Sequence, residues 1–397
     1  MKISGKALGI SPSPTLTIDA RAKQLKSEGV DIIGFGAGEP DFDTPEHIRE
    51  AAIEAIREGF TRYTPSGGIP ELKEAICEKF QQDNGLQYGK EHIVVSNGAK
   101  QSLANIFMAI LDAGDEVIIP TPYWVSYPEL VKLADGIPVC IEGEEKDGYM
   151  LTAALLNKHL SSRTRAIVVN SPSNPTGLLY TQEELFAIAA FAIKNNLWII
   201  SDEIYEKLIY DDAVHISIAS LGEEIKKRTI VVNGVSKAYA MTGWRIGYTA
   251  SEPELAAAMD RIQSHATSNP NSIAQKAALA ALKGPQECVE EMRKVFSSRR
   301  SYALERINKM PYLSCGTPEG AFYLFANAGQ AYGRSFRGTL ITDSDKLAAL
   351  LLDHYRVALV PGGGFGAPEY LRLSYATSME NIRNGLDRLE AFLKELG

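Results

Sequence analysis

The chain has 397 residues, 45% hydrophobic and 23% charged, with a formal net charge of -8. That length exceeds what one hydrophobic core usually organises and predicts two domains, while the acidic surplus offers nucleic acid no basic face. Four cysteines, at positions 77, 140, 288 and 315, form no Cys-x-x-Cys pair, and six histidines form no His-x-x-x-His pair, so the usual dithiol and zinc patterns are missing.

Met1 to Lys6 lack the apolar core of a signal peptide, and the longest apolar run, 185–193, is too short to span a bilayer. A cytoplasmic chain with no membrane partner is expected. Residues 11–17 read as an extended polar segment, followed by a helix over 18–27 that Gly29 ends. A strand over 31–35 runs into Gly36-Ala37-Gly38-Glu39-Pro40-Asp41-Phe42, where the glycines permit close backbone approach or simply a turn. Thr44-Pro45-Glu46 reads as a helix start, with Thr44 as the cap, Pro45 as the first helical residue, and Ile48, Ala52, Ala55 and Ile56 as the inner face. Beyond Gly59 the run from Thr61 to Gly68 is a loop, and the next helix turns Leu72, Ile76 and Phe80 inward.

From residue 92 short apolar strands alternate with helical stretches, the pattern of a doubly wound, mostly parallel sheet in an α/β protein. The predicted strands are 92–95, 116–119, 166–169, 197–200, 229–232 and 246–250. Ligands of such sheets gather beyond the carboxyl ends of strands. Those ends carry chemistry. Gly98, Ala99 and Lys100 open a helix whose free N–H groups suit a phosphate. Trp124 is either a platform for a planar ring or a core aromatic. Asn174 lies in a Pro-rich turn that could fix its amide, and Asp202 either caps a helix or holds a proton on a ring nitrogen. Ser236, Lys237 and Arg245 follow the strand at 229–232, with Gly243 taken as the residue that lets the chain reverse. A lysine there suits covalent carbonyl chemistry and an arginine suits a phosphate.

Past residue 290 the pattern becomes that of a smaller α+β unit: a charged helix over 290–310, strands over 320–325, 357–360 and 370–375, and a closing helix over 378–396. Arg372 is either an anion clamp or a surface residue, and its apolar strand favours the clamp. The glycine run 362–367 formally fits a dinucleotide fingerprint, but a strand follows it and no βαβ unit surrounds it, so the fingerprint is rejected.

An anion nest, a stacking aromatic, a carboxylate for a ring nitrogen, a nucleophilic lysine and a phosphate-reaching arginine together describe a site for pyridoxal 5'-phosphate. Over nearly its whole length the sequence resembles the class I aminotransferases of fold type I. The resemblance rests on Ala37-Gly38-Glu39-Pro40-Asp41-Phe42, Tyr63-Thr64, Ser171-Pro172-Ser173-Asn174-Pro175-Thr176-Gly177, Ser201-Asp202-Glu203-Ile204-Tyr205, Ser236-Lys237 with Gly243-Trp244-Arg245, and Arg372-Leu373-Ser374-Tyr375. It implies a large domain over 47–290 and a small domain from 1–46 plus 291–397.

Residue by residue, the resemblance implies that Lys237 is the Schiff-base lysine and proton shuttle and that Asp202 pairs the pyridine nitrogen. Tyr205 and Asn174 would bind the phenolic oxygen and Trp124 would stack on the ring. Gly98, Ala99, Lys100, Ser236, Arg245 and, from a partner subunit, Tyr63 would hold the phosphate, which implies a homodimer with shared sites. Arg372, Asn174 and the Gly38 backbone would take the substrate α-carboxylate. Gly234 stands where some members have a phosphate-binding serine. The runs Gly98-Ala99-Lys100-Gln101-Ser102 and Pro122-Tyr123-Trp124-Val125-Ser126-Tyr127-Pro128 resemble bacterial aspartate and aspartate/prephenate aminotransferases, in which residues matching Lys100 and Thr15 serve the second carboxylate. The expected substrates are therefore aspartate or glutamate as donors and 2-oxoglutarate, oxaloacetate and prephenate as acceptors. Aromatic amino acids, alanine or methionine are the alternative, and no metal is expected.

Overall fold

In the computed structural model of the chain, residues 1–143 and 151–397 are described. The strands, in chain order, are β1 (Ile33–Gly34), β2 (Ile93–Ser96), β3 (Glu116–Thr121), β4 (Ile137–Glu142), β5 (Thr164–Asn170), β6 (Trp198–Asp202), β7 (Thr229–Gly234), β8 (Gly247–Ala250), β9 (Tyr323–Asn327), β10 (Ser335–Phe336), β11 (Thr339–Leu340), β12 (Val357–Ala358), β13 (Val360–Pro361) and β14 (Tyr370–Ser374).

A seven-stranded sheet has the order β2-β8-β7-β6-β5-β3-β4. Its strands are parallel except β8, which runs antiparallel to both β2 and β7. Residues entering β8 therefore arrive at the rim where the other strands end, and this is what brings Arg245 beside Lys237. Both faces are covered, as the unbroken apolar runs require. Along β5, Ala166 and Val168 join one hydrophobic cluster while Ile167 and Val169 join another, because successive side chains point to opposite faces. The register sets Asn170 opposite Asp202, and Asp202 opposite Val232.

A three-stranded antiparallel sheet, β13-β14-β9, packs with the helices Glu287–Ile307, Ser344–Tyr355 and Met379–Lys394 around a second core. β1 pairs in parallel with β12. Arg299 forks onto Asp41 at 2.6 and 3.0 Å and so ties the long helix to the loop that follows β1. No helix among the described residues is long and apolar enough to cross a membrane.

Several local expectations are corrected. The helix expected from residue 18 spans Pro14–Ser27, because proline at the first helical position needs no N–H partner and Ser13 caps it. Thr44 is not a cap: its hydroxyl donates to the Ala240 carbonyl at 2.7 Å and accepts from the Trp244 indole at 2.9 Å, and the helix begins at Glu46. Ile56 is 55% exposed, off the inner face. The edge strand β4 was not among the predicted strands; it carries Pro138, which is tolerated at an edge. The run expected as one strand over 357–360 divides at Leu359, with β12 serving β1 and β13 serving β14. Gly243 sits in an ordinary 3-10 turn; the left-handed residues that reverse the chain are Ala240 and Arg245, at φ 50° and 57°.

Candidate active site

At the carboxyl rim of the large sheet a cavity of about 400 Å³ opens, walled on its other side by the loop 36–39, Tyr323, Arg372 and the helix Pro14–Ser27. Of the residues singled out in the sequence, Thr15, Gly38, Ala99, Lys100, Trp124, Asn174, Asp202, Tyr205, Ser236, Lys237, Arg245 and Arg372 all line it. Gly98 lies just behind the wall. It caps the helix Ala99–Ile110 at φ 84°, and a Cβ there would fall 2.3 Å from the Arg245 guanidinium, so glycine keeps arginine and helix end together. Tyr63 is not in this cavity: it is 91% exposed on its loop. Buried glutamines hold that loop, Gln263 donating to the Ser66 carbonyl at 2.6 Å and Gln275 to the Thr64 hydroxyl at 3.0 Å.

Lys237 donates to the Gly38 carbonyl at 2.6 Å. Its pKa is lowered to about 8, chiefly because burial disfavours the ammonium, with Arg245 and Arg372 adding repulsion against the pull of Glu39 and Asp202. Asp202, at the end of β6, accepts from the Tyr127 hydroxyl at 2.7 Å and from the Ile204 N–H at 3.3 Å. Burial raises its pKa to about 6, and these hydrogen bonds limit the rise. Asn170, opposite it, donates to the Asp202 carbonyl at 3.0 Å and accepts from the Asn174 N–H at 2.8 Å, which fixes the following turn.

Arg372 is 1% exposed. It donates to the Asn174 amide oxygen at 3.0 Å and to the Gly36 carbonyl at 2.9 Å, and its Nε has no protein partner. Because Arg372 occupies the amide oxygen, the NH2 of Asn174 is the group left to donate into the cavity. Arg245 is held by the carbonyls of Thr242 at 2.8 Å and Asn97 at 3.4 Å. The Lys100 ammonium lies 5.0 Å from the centre of the Trp124 ring, and the buried Thr15 hydroxyl has no hydrogen-bond partner.

The sequence reading passed over Tyr127, Asn170 and Tyr323, and read Gly36 only as part of a run open to close backbone approach or a turn. Tyr127 was visible in the run after Trp124, but its bond to Asp202 spans 75 positions and has no local signature. Among the described residues, Glu203, Glu206 and His215 could together reach a metal ion. Lys79 and Asn84 already serve Glu206, and the Ser201 and Ser217 hydroxyls serve Glu203, so the group reads as a charge-compensated network.

The raised pKa of Asp202 has a consequence for stability. A folded value of about 6, above the ordinary carboxylate range, means that the carboxylate burdens the fold fully above pH 6 and progressively less as the pH falls toward 4. Asp202→Asn is therefore expected to stabilise the ligand-free chain at pH 7 by about 1–3 kcal/mol, with a smaller gain at pH 4.5. Urea denaturation at the two pH values measures this; an equal or absent gain would refute it.

The family model for aminotransferase class I and II matches residues 30–389. An aspartate aminotransferase from Geobacillus stearothermophilus is 50% identical over 394 residues, 99% of each chain. An aspartate/prephenate aminotransferase from Nitrosomonas europaea is 46% identical over 396 residues, covering 99% of this chain and 100% of its own. The crystal structure of the aspartate aminotransferase from Rhizobium meliloti matches with a TM-score of 0.96 at 44% identity, covering 100% of both chains.

Proposed function

This chain belongs to the class I and II aminotransferases, and from that premise we propose that it moves the amino group of L-aspartate or L-glutamate to 2-oxoglutarate or oxaloacetate, with prephenate as a further acceptor. One observation carries the substrate class. A single cavity is lined by Arg372 with its unpartnered Nε, by Lys100 and by the unpartnered Thr15 hydroxyl, more than one group suited to a carboxylate. A dicarboxylic acid suits such a lining.

Pyridoxal 5'-phosphate fits residues of the same site. The helix end at Gly98, Ala99 and Lys100, flanked by Ser236 and Arg245, suits its phosphate, Trp124 offers a ring face, and Asp202 retains lone pairs for a ring N–H. Bound there, the cofactor supplies an aldehyde carbon for amines to add to and a ring that withdraws electrons from the substrate Cα.

The chain's own residues do the rest. With its pKa lowered to about 8 by burial, Lys237 yields its proton more readily than an exposed lysine, which suits it to act as nucleophile and then as the base that moves the Cα proton. Arg372 grips the α-carboxylate, assisted by the Gly38 backbone. Tyr205 and the Asn174 NH2 donate to the ring oxygen. Tyr63, turned outward on its clasped loop, would reach the phosphate of a second copy, so the working unit is a homodimer with shared sites. The large domain is 47–290 and the small domain is 1–46 with 291–397, and the protein works in the cytoplasm.

Coupled assays with aspartate as donor and 2-oxoglutarate or prephenate as acceptor test the reading. Comparable kcat/KM for both acceptors would mean a dual aspartate/prephenate enzyme, and 2-oxoglutarate alone a plain aspartate enzyme. Activity with phenylalanine or alanine but not aspartate would overturn the proposal. Lys100→Ala is expected to lower kcat/KM for aspartate by about 10- to 100-fold and that for alanine much less. Equal losses would make Lys100 a cofactor residue only.

A further inference from the structure

Tyr323 has no role in anything described so far, yet it touches both halves of the site. It stands opposite Ser374 across the β9/β14 pair, so Arg372, two residues along, is its diagonal neighbour on the same face. The Arg372 guanidinium lies 4.4 Å from the centre of the Tyr323 ring. At the other end, the Tyr323 hydroxyl is 2.8 Å from that of Tyr205. A Cβ on Gly38 would come within 3.0 Å of this hydroxyl, so a glycine at 38 leaves it room. Tyr323 is 1% exposed and lines the cavity.

A pair of phenols can share its proton in two ways. If Tyr205 donates to Tyr323, the Tyr205 proton is spent within the protein. If Tyr323 donates to Tyr205, the Tyr205 proton is free to point into the cavity, and a donor that itself accepts a hydrogen bond is polarised into a stronger one. The surrounding charges are Arg372 against Tyr323, and Arg372, Asp202 and Lys237 about Tyr205, whose ring centre lies 5.8 Å from the Lys237 ammonium. Phe322 packs edge-on against Tyr205 and adds no charge.

We propose that Tyr323 is a positioning residue: it donates to Tyr205, turns the Tyr205 proton toward the ring oxygen of the cofactor, and ties that donor to the arginine that receives the carboxylate. The inference rests on the role given to Tyr205 under the proposed function.

The test is a spectrophotometric pH titration of the visible absorption band of the cofactor-loaded enzyme, for the parent, Tyr323→Phe, Tyr205→Phe and the double variant. A donor at the ring oxygen steadies negative charge there and favours loss of the neighbouring proton, so removing the donor raises the midpoint. Tyr205→Phe is expected to raise it by about one pH unit and Tyr323→Phe by roughly half a unit. In the Tyr205→Phe background the Tyr323 substitution should add nothing, because its effect passes through Tyr205. A Tyr323→Phe midpoint equal to that of the parent, with Tyr205→Phe shifted, would overturn the proposal and leave the role of Tyr205 intact. Additive shifts would also overturn it, since Tyr323 would then act by another route. If neither variant shifts, the role of Tyr205 itself fails and the proposal falls with it.

Discussion

Replacing Lys237 by alanine is expected to lower kcat by about 10^4-fold or more and to abolish the absorption band of lysine-bound cofactor. Two proposed roles would be lost together, capture of the cofactor and movement of the Cα proton by the same amine. The nearby cations are committed elsewhere: Arg245 is held by the Thr242 and Asn97 carbonyls, Arg372 by the Asn174 and Gly36 oxygens, and Lys100 lies against Trp124. The proposed phosphate anchors at Gly98, Ala99, Ser236 and Arg245 are untouched, so cofactor should still bind, more loosely, as equilibrium dialysis would measure. Stopped-flow and steady-state rates with aspartate and 2-oxoglutarate decide the matter. A variant retaining a tenth of parental kcat would end the mechanism.

Arg372→Leu is expected to reduce kcat/KM by about 10^2- to 10^3-fold for every amino donor. The guanidinium is buried, and its fork matches a carboxylate in a way an ammonium or an apolar chain cannot. The loss should be shared by alanine and aspartate alike, in contrast to Lys100→Ala. This separates the group for the α-carboxylate from the group for the second one. Removal of the charge also frees the Asn174 amide oxygen and the Gly36 carbonyl, so Arg372→Lys is the gentler companion and should lose somewhat less. A loss confined to dicarboxylic donors would place the α-carboxylate elsewhere.

Much of this site was legible in the sequence because it obeys one topological rule. Asp202 and Lys237 follow apolar strands, and the residues that follow such strands in a parallel sheet share a rim. Arg245 came to the same rim for a reason the pattern does not carry, the antiparallel insertion of β8 between β2 and β7. Thr15 was named only through resemblance: Pro12 and Pro14 argued for an extended segment, whereas Pro14 begins the helix that carries Thr15 to the cavity. Thr44 met every local requirement of a cap, but its hydroxyl found better partners 196 and 200 positions away. Tyr127 and Tyr323 were missed for the same reason. Their hydroxyls matter through register and long-range packing, and one-dimensional periodicity is blind to both.

The loop after β1 offers the Gly36 carbonyl to Arg372 and the Gly38 carbonyl to Lys237, and the Asp41–Arg299 fork keeps it in place. A carboxylate entering this cavity meets a guanidinium already held by the Asn174 and Gly36 oxygens and open at its Nε, and its net gain in free energy is a difference between two hydrogen-bonded states. The same difference runs in reverse at the end of a half-reaction. As a keto acid lets go, those two oxygens still hold the cation, so departure does not leave a buried charge bare. An enzyme whose cycle admits two substrates and discharges two products through one opening meets this step at every exchange. Here fast turnover is served by a grip that is shared with the chain.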